Sequence, residues 1–339
     1  MSSDDRALAA DIEWCAARLR DHFGRHAVVT DTIDVPSRLA RVHRLTVAIG
    51  AATYSYYLKR YSPEGLGLAT SLSEHAKNIS SISSAFRDKA GVLPYQVIAT
   101  DAQLGLVLTA SMPGRPLGSS HRIWVGGKGE RAKALDAWEG VGRWLAVLHW
   151  NSRPPVASDS KARELVDYIA ERLSRWRLED SRHSGLAQDA TSAARELLSR
   201  MAGRPVMTTL CHGDVSLGNI MIDDRQVGLI DLDDLRWDLP GMDLSQGLLE
   251  IQEYSRIGSV VAAPGFAARA TAAFRKGYGR SFPDGQEFWI PHLRNLSVMV
   301  LTLAGRRTGR GPRRVALELW YRRKIGELRR TVAGIRAER

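Results

Sequence analysis

The sequence predicts an α+β chain, with a small β-rich region up to about residue 110 and a mainly helical region beyond it. Three observations predict it. Stretches rich in β-branched and aromatic residues, whose side chains suit a pleated and half-buried surface, cluster between Ala27 and Tyr61. From Glu130 onward apolar residues recur at steps of three and four, the spacing that keeps them on one helix face. Residues 208–244 interrupt that helical pattern with a short hairpin holding most of the side chains able to do chemistry. A chain of 339 residues with 44% apolar content is too large for one small core and fits two lobes.

The elements follow in order. Residues 4–23 have helical spacing, with Leu8, Ile12, Cys15, Leu19 and Phe23 on one face, and are expected to pack on the body. Residues 27–35, 39–49 and 53–61 read as strands. A loop with Pro63, Gly65 and Gly67 precedes a helix expected from Ser71, and residues 104–109 read as a further strand. The run Ala110-Ser111-Met112-Pro113-Gly114-Arg115-Pro116-Leu117 is a loop, because proline and glycine punctuate regular structure. Leu135, Trp138, Val141, Leu145 and Leu148 form a core stripe, with His149 as a capping or packing residue at its end. Residues 151–160, with Pro154 and Pro155, are a loop; helices are expected at 161–176 and 186–201, and then at 242–254, 260–278, 288–304 and 314–335.

The hairpin concentrates the chemistry. Residues 219–223 read as a strand, Asp224-Arg225-Gln226 as a turn and 227–232 as the returning strand, which brings Asn219 and Asp231 together. An amide beside a carboxylate offers only hard oxygen donors, which suits Mg²⁺. Asp214, in the loop before the hairpin, is free to accept or orient the proton of an attacking hydroxyl. Two blander readings stand beside this one. His212 and Asp214 could tie down a turn while Asp231 to Asp234 are solvated acids; or His212, Asp214 and Asp231 could ligate a hydrolytic metal, which would need further histidines at ligand spacing, and none lie nearby.

His212-Gly213-Asp214, Asn219 five residues after the carboxylate, and Ile230-Asp231 together resemble the H-G-D-x-x-x-x-N and I-D motifs of the aminoglycoside phosphotransferase and choline kinase family, distant relatives of protein kinases. The resemblance implies a two-lobed protein-kinase-like fold, with a nucleotide-binding lobe over 1–110 and a helical catalytic and acceptor-binding lobe over 111–339. It implies Asp214 as catalytic base, His212 as the residue that braces its loop, Asn219 and Asp231 as metal ligands, and Asp243 as structural support. On the nucleotide side it implies Lys59 as the lysine of the α and β phosphates, paired with Glu74. It makes the backbone of Thr109, Ala110, Ser111 and Met112 the adenine contact. Asp233 and Asp234 add negative charge but rank below Asp231. One departure is clear: the loop expected over the phosphates, residues 34–38, contains no glycine, which leaves Ser37 or Arg38 to contact phosphate, the strands misplaced or nucleotide binding weakened.

Charge is unevenly placed. The net charge is +11, and residues 301–339 hold 12 Arg or Lys against three Glu, so +9 lies there and +2 in the first 300 residues. Such a segment is either a solvated basic helix face or a grip for an acidic partner. Net positive charge is a poor match for polycationic aminoglycosides. Cys15 and Cys211 are too few for a disulfide framework, no apolar run has transmembrane length, and the N-terminal stretch lacks signal-peptide order. A cytoplasmic location is expected, and nucleic acid is not an expected partner. The reading is thus a kinase using Mg²⁺ and ATP, or GTP, on the hydroxyl of a small molecule such as a sugar or natural product. The alternatives are an anionic acceptor, a Ser or Thr of a peptide held by the basic segment, and a non-catalytic binding module.

Overall fold

The computed structural model describes residues 3–37, 40–61, 72–86, 89–119, 128–151, 160–202, 204, 206–257, 265–279, 282–283, 285–306 and 312–337. Strands β1 (Ala27–Val35), β2 (Ala40–Ile49), β3 (Ala52–Tyr61), β4 (Val97–Asp101) and β5 (Leu106–Ala110) form one antiparallel sheet in the order β1-β2-β3-β5-β4. Strand β4 was not among the expected strands, and the strand expected at 104–109 starts at Leu106 because residues 102–105 turn. Helix α1 (Ser3–Phe23) covers one face of this sheet, with Cys15 and Leu19 buried against Leu45, Val47, Leu58, Leu106 and Leu108. The alternation of a strand then assigns the neighbours on β3. Arg60 faces α1, where its Nε donates to the buried Asp11 at 2.6 Å and a second guanidinium nitrogen takes the other carboxylate oxygen. Tyr57, Lys59 and Tyr61 therefore share the opposite face.

Helix α2 (Leu72–Ala85) follows; Ser71 and the loop with Pro63, Gly65 and Gly67 lie outside the described residues. Arg115–Pro116 forms a short strand, β6, and α3 (Lys128–Asn151) carries the expected stripe, with Trp138, Val141, Leu145 and Leu148 buried. Helices α4 (Ser160–Glu179) and α5 (Ser184–Met201) lead to β7 (Thr209–Cys211). The hairpin pairs β8 (Ile220–Asp223) with β9 (Gln226–Leu229), and β6 joins β8 on its other side. After β10 (Arg236–Asp238) come α6 (Gly241–Ile257), α7 (Phe266–Tyr278), α8 (Gln286–Arg306) and α9 (Pro312–Ala337). Residues 258–264, which the sequence assigned largely to the helix containing α7, are outside the described residues.

The elements gather into two compact units that the chain enters more than once. One contains the sheet and comprises Met1–Ser152, His212–Arg236 and Glu250–Arg280; the other is mainly helical and comprises Arg153–Cys211, Trp237–Leu249 and Ser281–Arg339. In the sheet-bearing unit, the segment before β4 is tied to the hairpin, because the Leu93 N–H donates to Val227 O at 2.8 Å. Its helices α3 and α7 cross closely, with Trp138 edge-on to Phe274 at 6.2 Å. In the helical unit, α4, α5, α8 and α9 share one core that includes Ile169, Trp176, Leu197, Leu293, Val300, Tyr321 and Leu328.

Candidate active site

The loop between β7 and β8 is held from inside. His212, fully buried, accepts the Asp214 N–H on Nδ1 at 3.2 Å, and its Nε2 lies 3.0 Å from Ile230 O, so a neutral ring protonated on Nε2 satisfies both bonds. Trp144 of α3 packs edge-on to this ring at 5.9 Å. One imidazole thereby ties the loop bearing Asp214 to the segment after β9. Gly213 between them has φ +86, and a Cβ there would stand 2.4 Å from Asp234 O. Both the positive φ and the close approach demand glycine. Asn219 closes the loop: its Nδ2 donates to Asp214 Oδ2 at 2.9 Å and to Asp214 O at 3.1 Å, while its own carbonyl accepts the Ile230 N–H at 2.9 Å.

The returning strand ends at Leu229 rather than running on to residue 232 as the sequence suggested. Asp231 breaks it, with φ 67 in the left-handed region, and Leu232–Asp234 follows as a 3-10 turn. That turn aims two carboxylates at one lysine. Lys59 Nζ lies 2.5 Å from Asp231 Oδ1 and 2.6 Å from Asp233 Oδ1, and the Tyr61 hydroxyl donates to the same Asp233 oxygen at 2.7 Å. Burial works to lower the Lys59 pKa, but Asp233, then Tyr95 and Asp231, raise it above its ordinary value. Burial likewise works to raise Asp231, yet the adjacent ammonium lowers it overall. Asp233 is raised, chiefly by burial and by Asp231 against the pull of Lys59. Of the two, Asp231 is the firmer anion, and its side chain is also the more open, 45% exposed against 7%.

These groups line one cavity of about 910 Å³. Asp214, Asn219, Asp231, Asp233 and Asp234 form one wall, Lys59 and Tyr57 of β3 another, and the run from Thr109 to Met112 a third. Val35, Pro36 and Ser37 of the glycine-free loop also line it; Arg38 lies outside the described residues. The third wall is pinned, because the Ala110 N–H donates to Gln96 O at 3.0 Å and the Ser111 N–H to Ser55 O at 2.9 Å. Among the described residues the Met112 N–H has no backbone acceptor. Met112 itself packs over β9, where a Cβ on Gly228 would stand 2.3 Å from its Sδ.

Glu74 stands exposed in the first turn of α2, and the ion-pair partners of Lys59 are Asp231 and Asp233. The next residue of α2, His75, feels Lys59. It is buried edge-on to Tyr61 at 4.9 Å, and burial first and Lys59 second lower its pKa to about 4. Sequence reasoning assigns no site role to Tyr61 or Tyr95, and it ranks Asp233 below Asp231 as added negative charge. The signal for Tyr61 was present, since it lies two positions from Lys59 on one strand; Asp233 needed the turn at Asp231, which an aspartate permits but does not require. Asp243 is buried in the first turn of α6.

Comparison with known proteins agrees with this fold. The model of the phosphotransferase enzyme family matches residues 38–286. Solved structures share the fold at low identity. A glucosamine kinase has a TM-score of 0.66 at 15% identity, covering 94% of this chain and 84% of that one. An amicoumacin kinase in complex with AMP-PNP, Ca²⁺ and Ami has 0.53 at 15%, covering 95% of both chains. A choline/ethanolamine kinase family protein from Mesorhizobium loti has 0.52 at 14%, covering 96% and 99%. No curated protein matches the sequence. Among the described residues no helix is long and apolar enough to cross a membrane. With the family match spanning most of its length and the motif residues gathered on one cavity, the chain belongs to the phosphotransferase enzyme family.

Proposed function

We propose that this phosphotransferase uses ATP and Mg²⁺ to phosphorylate a hydroxyl of a small molecule such as a sugar or natural product. The observation that carries the reading is the convergence of Lys59, Asp214, Asn219, Asp231 and the Thr109 to Met112 backbone on one cavity of about 910 Å³. That volume lies in the range of small-molecule and cofactor sites. The donor set fits a divalent cation. The Asn219 amide nitrogen is spent on Asp214, which leaves its oxygen, and the Asp231 carboxylate reaches the same cavity. A cation held there would neutralise charge on phosphate oxygens.

The remaining roles belong to the chain. Lys59, fixed by Asp231 and by Asp233, which the Tyr61 hydroxyl also holds, presents a permanent ammonium to phosphate oxygens. Asp214, oriented by Asn219, accepts the proton of the acceptor hydroxyl as its oxygen attacks phosphorus. The Met112 N–H is the backbone donor available to a purine, and Ser37 is the polar side chain of the glycine-free loop at the cavity. Glu74, in the first turn of α2, is the carboxylate assigned to brace Lys59. Catalysis then consists of positioning and charge neutralisation. The amicoumacin kinase crystallised with AMP-PNP and Ca²⁺ supports a nucleotide and a divalent ion in this fold.

Isothermal titration with non-hydrolysable ATP and GTP analogues, with and without Mg²⁺, tests the reading. Asp231→Asn is the informative variant, because asparagine tolerates the left-handed backbone that alanine would strain. Binding that requires Mg²⁺ and weakens at least about tenfold in the variant is expected, since one charged ligand of the metal is lost. Failure of both analogues to bind would overturn the nucleotide assignment, and binding of the GTP analogue alone would replace ATP by GTP.

A further inference from the structure

The helical unit holds a cavity of about 280 Å³ that shares no residue with the Lys59 cavity and has the opposite charge character. Its walls carry Arg182, from the turn between α4 and α5, and Arg322 and Arg329 from α9, against one lining carboxylate, Glu318. The wall behind Arg182 is built from buried groups. Asp180, 7% exposed, accepts Arg182 Nε at 2.8 Å and a terminal guanidinium nitrogen at 2.9 Å, and it also accepts the Tyr321 hydroxyl at 3.2 Å. The Trp176 indole N–H donates to the same hydroxyl at 3.0 Å, and the His183 ring stacks on Trp176 at 5.2 Å. Arg182 is thereby held in place although its own side chain is exposed, which lowers the entropy cost of using it to bind.

On the α9 side, Arg322 Nε is taken by Glu318 at 2.8 Å, which leaves its terminal N–H groups for other acceptors. Arg329, exposed two turns further on, has no carboxylate partner among the described residues. Counting Asp180 and Glu318 against the three arginines, the cavity keeps one positive charge in excess, and the exposed Arg323 and Arg330 follow Arg322 and Arg329 in the chain. One guanidinium fork satisfies a planar carboxylate; three arginines approaching from two elements suit a tetrahedral dianion that accepts from several directions. The volume admits such a group with the few atoms attached to it, below the usual range for whole small-molecule ligands.

We propose that this cavity binds a phosphate group through Arg182, Arg322 and Arg329. The basic C-terminal segment is then a phosphate-reading surface, not merely a solvated helix face. Titration of inorganic phosphate into the full chain, at ionic strength fixed with chloride, tests it in the wild type and in Arg329→Ala, Arg322→Ala and, as a control on α1, Arg20→Ala. Binding that weakens about tenfold in each α9 variant and is unchanged in the control is expected. The α9 arginines are exposed, so a preserved melting temperature shows that the variants remain folded; Arg182 is left intact because its loss would strip the buried Asp180. A phosphoserine peptide and phosphatidic acid vesicles, run through the same set, identify the source of the phosphate by which one binds in an Arg329-dependent way. If only inorganic phosphate does, the ligand is a small soluble phosphate. Absence of phosphate binding, or binding equal in all four proteins, overturns the proposal.

Discussion

Two buried lysines, one in each compact unit, solve the same electrostatic problem differently. Lys324 of α9 is fully buried and pairs with Glu327 one turn along its own helix at 2.8 Å. Lys59 of β3 is nearly as buried but faces two carboxylates from a distant part of the chain, and its Nζ stands at a cavity. A locally matched pair in a helical core is a structural solution, since taking two charges out of water is offset only by their mutual attraction. An excess of carboxylate around one ammonium at an open cavity leaves negative charge for an incoming cation. The difference separates a charge that holds the fold from one placed to act.

The comparison breaks most directly at the lysines themselves. Lys59→Met is expected to lower phosphoryl transfer on the order of 10²–10³-fold, the scale of removing one charge-stabilising donor. Single-turnover assays on folded protein would read it. Lys324→Met is expected to leave transfer per folded molecule unchanged while costing about 3–5 kcal/mol of stability in urea unfolding, because Glu327 is left buried without its ammonium. The double variant Lys324→Met/Glu327→Leu should recover most of that loss. If Lys324→Met abolished transfer at full stability, the distinction would fail.

A smaller effect comes from the histidine beside Lys324. Burial first holds His292 down to about 4 from an ordinary 6.5, with Lys324 acting in the same direction against Glu327; its Nδ1 lies 3.0 Å from Ser245 Oγ. Above pH 6.5 the folded and unfolded chains both carry it neutral, and its contribution is fully present. As the pH falls below 6.5 the unfolded chain takes a proton that the folded chain resists until about 4, so stability drops through that window, by on the order of 2 kcal/mol at pH 4.5. Thermal unfolding at pH 7 and 4.5 should show a shallower loss for His292→Gln, which cannot titrate.

The smallest effects sharpen the contrast in packing. In the sheet-bearing unit a Cβ on Gly277 of α7 would stand 1.9 Å from Glu139 O of α3. Gly277→Ala should therefore destabilise by about 1–3 kcal/mol through overpacking. Gly326 of α9 meets only the tip of Arg330 at 3.6 Å, so Gly326→Ala should stabilise by about 0.5–1 kcal/mol through helix propensity. Opposite signs of the two melting-temperature shifts are expected.

The sequence alone placed strands β1 to β3, the hairpin and, apart from the start of α7, the helices to within a few residues, because alternation and three-four spacing are local signals. It also grouped Asp214, Asn219 and Asp231 through a motif whose spacing a tight loop and hairpin preserve, and that grouping led to the family. It did not reveal β4, since a five-residue strand at a sheet edge carries little periodicity. Other features were decided by tertiary structure alone. The left-handed turn at Asp231 brings Asp233 onto Lys59, 174 residues away in the chain. Packing places α3 in the sheet-bearing unit although residue 110 marks the change from strand to helix. It also closes Arg182 with Arg322 and Arg329 around one cavity. Local propensity fixes what each segment becomes, whereas contacts between residues far apart in the chain depend on which surfaces bury one another, and no short stretch of residues carries that information.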